Sequence, residues 1–241
     1  IQTSLVGSEM CIRDRFRIGS PTDNISWQAY REIADSDDVA WAIPISLGDS
    51  HEGYRVVGTT EAFFKYFSFG KERRLAFYKG EAFEGTFDAV LGSEVATALG
   101  YSMGTEVILA HGLASASFTK HDNQPFVVVG VLAPTGTPVD HTIHVRLEGI
   151  EAIHAGGSKA PIGAFAPANR PTANFSEPES ITAFMLGLKS RMSTFNVQRQ
   201  INQFAGEPLM AILPGVALSE LWQMMSTVSY THLRAHETRL N

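Results

Sequence analysis

The sequence predicts an α+β fold, a mixed sheet with helices packed on it, and three observations carry that expectation. Strand-like runs come in pairs between helices, not in the strict alternation of a doubly wound parallel sheet. Hydrophobic residues make up 44% and aromatics 10% of 241 residues, enough for a sizeable core in one large domain or two lobes. The longest apolar runs, 126–132 and 209–213, fall far short of the roughly 20 residues that a membrane-crossing helix needs.

Taken in order, residues 25–34 form an amphipathic helix, because Trp27, Tyr30 and Ile33 recur at near-helical spacing behind Asp23 and Asn24. Residues 39–47 and 53–59 read as a hairpin about a polar Gly-Asp-Ser-His-Glu turn, with Pro44 marking the first strand as an edge or a bend. Thr59 or Thr60 is expected to cap a short helix carrying Phe63, Phe64 and Phe67, whose aromatics belong in the core. Strands follow near 75–78 and 89–91. Ser93 is expected to cap a helix with Val95, Ala96 and Leu99 on one face, stopped by Gly100. Residues 105–110 and 125–132 read as paired strands, and the β-branched Phe-Val-Val-Val-Gly-Val-Leu run suits a buried one.

A strand over 142–146 leads into a helix with Leu147, Ile150 and Ile153 on one face. Residues 155–180, rich in Ala, Gly, Pro and Ser, form a long surface loop. Residues 181–189 are apolar on both sides and so form a buried strand. A helix from Thr194 carries Val197, Ile201 and Phe204 and closes at Gly206. After a strand over 209–213, Leu218, Leu221, Trp222 and Met225 form a helical apolar stripe that invites a partner. The segments 1–15 and 228–241 show neither period, resemble artefactual translations at the ends of reading frames, and are read as non-native.

The charge of −6, from 19 basic and 25 acidic side chains, argues against nucleic acid as a partner. The single cysteine, Cys11, closes no internal disulfide and builds no thiolate metal site, and the body without it suits an oxidising extracytoplasmic compartment. No phosphate-cradling or dinucleotide-binding glycine loop and no nucleophile elbow occurs. Asp140, His141 and His144 cluster in sequence, yet on a strand His141 and His144 point to opposite faces and hold no common ion; Asp140 is read as a turn residue and both histidines as partly exposed. Asp49, Ser50 and His51 contain the residue types of a triad, but neighbours in one turn lack its geometry. With Arg55 nearby, Asp49 and His51 are read instead as a polar contact for a partner or substrate.

Two segments, Ala-Val-Leu-Gly-Ser-Glu-Val-Ala-Thr-Ala-Leu-Gly-Tyr-Ser-Met-Gly-Thr-Glu-Val-Ile-Leu-Ala over 89–110 and the run over 125–140, resemble the extracytoplasmic core domain of MacB-like ABC transporter permeases, a group that includes LolC/LolE and FtsX. Gly92-Ser93, Gly104 with Val107, and Phe126, Val128, Gly130 and Val131 carry the likeness, which extends to 54–67, 181–202 and 209–225. The resemblance implies a core domain over 16–227 in two lobes, a porter-like lobe and a β-rich lobe inserted at 93–140. It implies a non-catalytic domain in the periplasm, held at the bacterial inner membrane by one helix before it and three after it, none present in this chain. ATP would sit on a separate cytosolic ATPase subunit, with no cofactor in this domain. A second permease copy and a periplasmic protein are the further expected partners. Two other classes fit the residues: a stand-alone periplasmic binding module, and a hydrolase whose site is dispersed along the sequence.

Overall fold

The computed structural model describes residues 3–8, 24–111, 124–155, 177–219, 221–223 and 225–226. Residues 156–176 of the expected loop, and the segment 228–241, lie outside that part. The chain begins with β1 (Thr3–Ser8), β2 (Ile25–Ser26), α1 (Trp27–Ala34), β3 (Val39–His51), β4 (Tyr54–Thr59) and α2 (Ala62–Tyr66). It continues with β5 (Ser68–Phe69), β6 (Arg73–Arg74), β7 (Phe77–Gly80), β8 (Asp88–Leu91), α3 (Ser93–Leu99), β9 (Glu106–Val107), β10 (Ala110–His111) and β11 (Phe126–Leu132). It ends with β12 (Thr142–Arg146), α4 (Leu147–Ala155), β13 (Ser180–Ile181), β14 (Ala183–Leu188), α5 (Thr194–Asn202) and β15 (Leu209–Ile212), after which 214–219 are helical.

The main sheet runs β15-β1-β14-β3-β4-β12-β8-β11-β7, with β10 added to β3 and β9 to β11. It is mixed as expected: β12 is parallel to β4 and β11 to β8, and the other pairs are antiparallel. One long strand holds it together. Val39–Ile45 of β3 pairs with β14, and from Ser46 onward the same strand pairs with β4. Pro44 therefore stands inside the sheet, two residues before the first position paired with β4, and is no edge marker. It lacks a ladder donor, but its carbonyl accepts the Thr59 hydroxyl at 2.8 Å.

The change of partner within β3 divides the molecule. On one side, α1 and α5 cover β14 and β15, burying Tyr30, Ile33, Phe184, Leu186, Val197, Ile201 and Leu209. On the other, α3 and α4 cover β4, β8, β11 and β12 through Leu91, Val95, Phe126, Val145 and Ile150. The reverse face carries α2, where Phe63 and Phe64 meet Trp41, Ile43, Phe83 and Val90. Among the described residues, β4, β7 and β8 share one sheet with the strands of 106–132.

Local expectations changed where tertiary contacts took the groups involved. Thr59 caps nothing, because its hydroxyl serves Pro44; Glu61 precedes α2 without a side-chain cap. Gly92, not Ser93, is the N-cap of α3. A Cβ at Gly92 would lie 2.3 Å from the Val139 carbonyl oxygen, so only glycine lets the 138–141 turn pack there. Gly100 does end α3 in the left-handed region, at φ 66°. Helix α5 ends at Asn202 and not at Gly206. Residues 3–8, for which no period predicts an element, form a strand between β14 and β15. The apolar stripe Leu218, Leu221, Trp222 and Met225 is exposed.

Candidate functional site

The polar turn expected at 48–52 is tighter and lies further along the chain. Glu52 and Gly53 both have positive φ, 48° and 83°, as the two-residue turn of a twisted hairpin requires. Asp49, Ser50 and His51 are thereby kept in β3, where Ser50 pairs with Arg55, His51 with Tyr54, and β10 adds a strand against Asp49 and Ser50. Side-chain alternation then separates the three expected contact residues. Asp49 and His51 lie on the core face, and Arg55, opposite Ser50, on the other.

The inward pair is tied down. His51 Nδ1 lies 2.7 Å from the Ile108 carbonyl oxygen and Nε2 2.9 Å from the Tyr101 hydroxyl, which fixes the ring between two distant segments. Burial, and secondarily the nearby Glu52 charge, pushes the Tyr101 hydroxyl above its ordinary pKa. Asp49 Oδ2 lies 3.6 Å from His154 Nε2 at the end of α4. The bond and charge of Asp49 hold His154 above its ordinary pKa, against the opposing effect of partial burial. At 6% and 7% exposure, Asp49 and His51 offer a partner few accessible atoms. Tyr101, Ile108 and His154 escape a reading of the sequence, since nothing local links them to residue 51.

Arg55 is exposed and faces an open groove of about 870 Å³ with Glu94, Thr137, Asp140, His141 and Thr142. Its floor is built by the turn that Asp140 closes. The Asp140 carboxylate accepts from Thr135 N at 2.9 Å, Gly136 N at 2.7 Å and the Thr135 hydroxyl at 2.8 Å. Burial alone would raise its pKa, but these bonds, with the nearby Ser93 hydroxyl, hold it below the ordinary carboxylate value. Ser93 Oγ meets no bonding geometry of its own and stays buried. Asp140 is thus the turn residue expected, with its oxygens committed to the backbone. Asp140→Ala is expected to cost about 2 kcal/mol by orphaning buried amides, read as a lower urea midpoint at constant slope.

The two neighbouring histidines part company. His141 is exposed on the groove, whereas His144 is fully buried on the reverse face against Phe63 and Phe64, at ring-centroid distances of 4.8 and 5.9 Å, which corrects the expected partial exposure. Among the described residues no group of three metal-binding side chains converges. What the groove presents is one exposed cation beside exposed His141 and Glu94, an open surface suited to contact.

Residues 6–204 match the MacB-like periplasmic core domain family. The fold is similar to the periplasmic region of MacB from Actinobacillus actinomycetemcomitans, with a TM-score of 0.56 at 9% identity over 91% of this chain and 92% of that one. It is also similar to the extracellular domain of the noncanonic ABC-type transporter YknZ from Gram-positive bacteria, with a TM-score of 0.51 at 11% identity over 87% and 99% of the two chains. No curated protein matches in sequence.

Proposed function

The chain belongs to the MacB-like periplasmic core domain family and is a periplasmic domain of an ABC-type transporter permease, and from that premise we propose that it is a non-catalytic mechanical coupler. An ATPase subunit in the cytosol hydrolyses ATP and moves the inner-membrane helices of the permease; this domain carries the displacement to a substrate or protein partner in the periplasm. One observation supports the reading above the rest: β3 is a single 13-residue strand whose two halves belong to differently covered parts of the sheet. A strand paired with β14 up to Ile45 and with β4 from Ser46, with one irregularity between Leu47 and Ser50, transmits displacement between two packed bodies without needing a bistable loop. The junction is braced by Thr182, whose hydroxyl accepts from Leu47 N at 3.0 Å while its own amide donates to the Ile45 carbonyl at 3.0 Å.

Inserting two glycines between Ile45 and Ser46 keeps the side-chain alternation but softens the junction. In the membrane-reconstituted permease with its ATPase, transfer of substrate is expected to fall about tenfold while ATP hydrolysis continues. Wild-type transfer by this variant, with the far-ultraviolet circular dichroism retained, overturns the coupling reading.

Arg55, with the groove before it, is the contact we assign to the partner or substrate. Arg55→Glu reverses an exposed charge and is expected to lower transfer about tenfold with melting temperature unchanged. Unaltered transfer removes Arg55 from the contact.

A further inference from the structure

At the far end of the sheet, among the described residues β7 pairs on one side only, with β11. Its four residues end at Gly80 in the left-handed region, and Tyr78, Lys79 and Gly80 are exposed. Alternation sends Phe77 toward Phe64 on the reverse face and Tyr78 toward the face that α3 covers. Helix α3 stops short of this edge. Between it and β7 lies a groove of about 550 Å³, lined by Tyr78, Ala96, Met103, Val131, Leu132 and Pro134. Tyr78 is 69% and Met103 42% exposed, although both are large and apolar in body. An edge strand beside an apolar groove has what strand addition uses: backbone groups for affinity and a trough for alternate side chains.

Charge selects the occupant. Over residues 65–84 the exposed side chains of Lys65, Lys71, Arg73, Arg74 and Lys79 outnumber those of Glu72, Glu81 and Glu84, a basic excess in a chain of net charge −6. Lys79, which lines the groove, lies near the Tyr78 ring at 5.7 Å, while Arg73 lies over the Phe69 ring at 4.7 Å on the reverse face, so one of these cations is held at the groove itself. The same cations oppose addition of a second copy of β7, since two basic edges repel. They favour a strand that is acidic on one face and apolar on the other. We propose that the β7 edge is a docking site for an extended acidic and apolar segment of a partner protein, which adds to the sheet beside β7 and seats alternate apolar side chains against Tyr78 and Met103. This is independent of the coupling reading, because it needs only the folded domain.

The test uses a phage-displayed library of random linear peptides of about eight residues, roughly one strand length, selected on the whole chain. The enriched sequences are expected to alternate acidic with apolar residues. A synthetic peptide of the leading sequence should lose affinity about tenfold against Lys79→Glu or Tyr78→Ala, weaken with salt, and lose binding when alternate backbone amides are N-methylated. Both substituted side chains are exposed, so far-ultraviolet circular dichroism should match the parent. No enrichment, enrichment of helical or basic sequences, equal binding by both variants, or full binding by the N-methylated peptide overturns the proposal.

Discussion

Gly187→Ala is expected to cost the domain about 3 kcal/mol, at the upper end of what overpacking a filled core does. Gly187 sits in β14 directly opposite Trp41 of β3, and the indole lies against it. An added Cβ would fall 2.0 Å from Trp41 Cε2 and 2.3 Å from Nε1, a clash with a rigid ring and not with a flexible tip. The ring has nowhere to retreat, since it is 9% exposed and stacked on Tyr66 at 5.4 Å with planes 6° apart. Equilibrium urea unfolding of Gly187→Ala, Trp41→Leu and the double variant measures the coupling. The double variant is expected to be more stable than the sum of the singles by at least about 1 kcal/mol, because leucine vacates the space that the new methyl needs. Additive losses would mean that the indole does not set the requirement for glycine. The contact lies in the half of β3 that pairs with β14, so its loss would also loosen the strand proposed to carry motion.

Acidification from neutrality to pH 4 is expected to remove about 3 kcal/mol through His144 alone. Burial lowers the His144 pKa from 6.5 to about 4; the Val90 carbonyl opposes this in part, although Nδ1 makes no hydrogen bond. Nε2 lies 3.2 Å from the Thr142 hydroxyl, and the ring otherwise faces the apolar rings of Phe63 and Phe64. The folded pKa is depressed, so the unfolded chain takes up the proton first as pH falls. The stabilisation is whole above about 6.5, declines between 6.5 and 4, and is gone below the folded value. Glu151, raised from 4.5 by burial first and by Glu179 after it, acts in the opposite sense over part of that window, while His154, held high by Asp49, loses its contribution only as pH rises. Asp140, held low, matters only in stronger acid. Subtracting the stability curve of His144→Phe from that of the parent isolates the histidine. A flat difference between pH 4 and 6.5 would show that the imidazole protonates freely in the folded state.

Much of the fold was legible because its signals are local. The spacing of Trp27, Tyr30 and Ile33 marks α1, the stop at Gly100 ends α3, and the β-branched run at 126–132 marks β11. Phe63 and Phe64 are buried as an aromatic cluster on a short helix should be. The family, too, could be read from ordered short motifs, since glycines such as Gly92 and Gly130 stand where backbones approach within contact distance.

The candidate site was legible only as a list of residues. Sequence names Asp49, His51 and Arg55 but not their faces, because a turn at 48–52 and one at 52–53 differ by a few polar residues that suit either. Tertiary structure decided between them. His51 is satisfied by Tyr101 and Ile108, some 50 to 57 positions away, and Asp49 meets His154 across the sheet. Those partners make it favourable to keep polar side chains in a buried strand, and alternation then turns Arg55 outward. The same long-range accounting drew the Thr59 hydroxyl to Pro44 and buried His144 beneath phenylalanines. By itself the sequence determined the fold class, most elements and the core residues, for periodicity and turn chemistry act within a few residues. The change of partner along β3, the placement of residues 3–8 in the sheet and the fate of each polar group rest on pairings between distant segments, which no local pattern encodes.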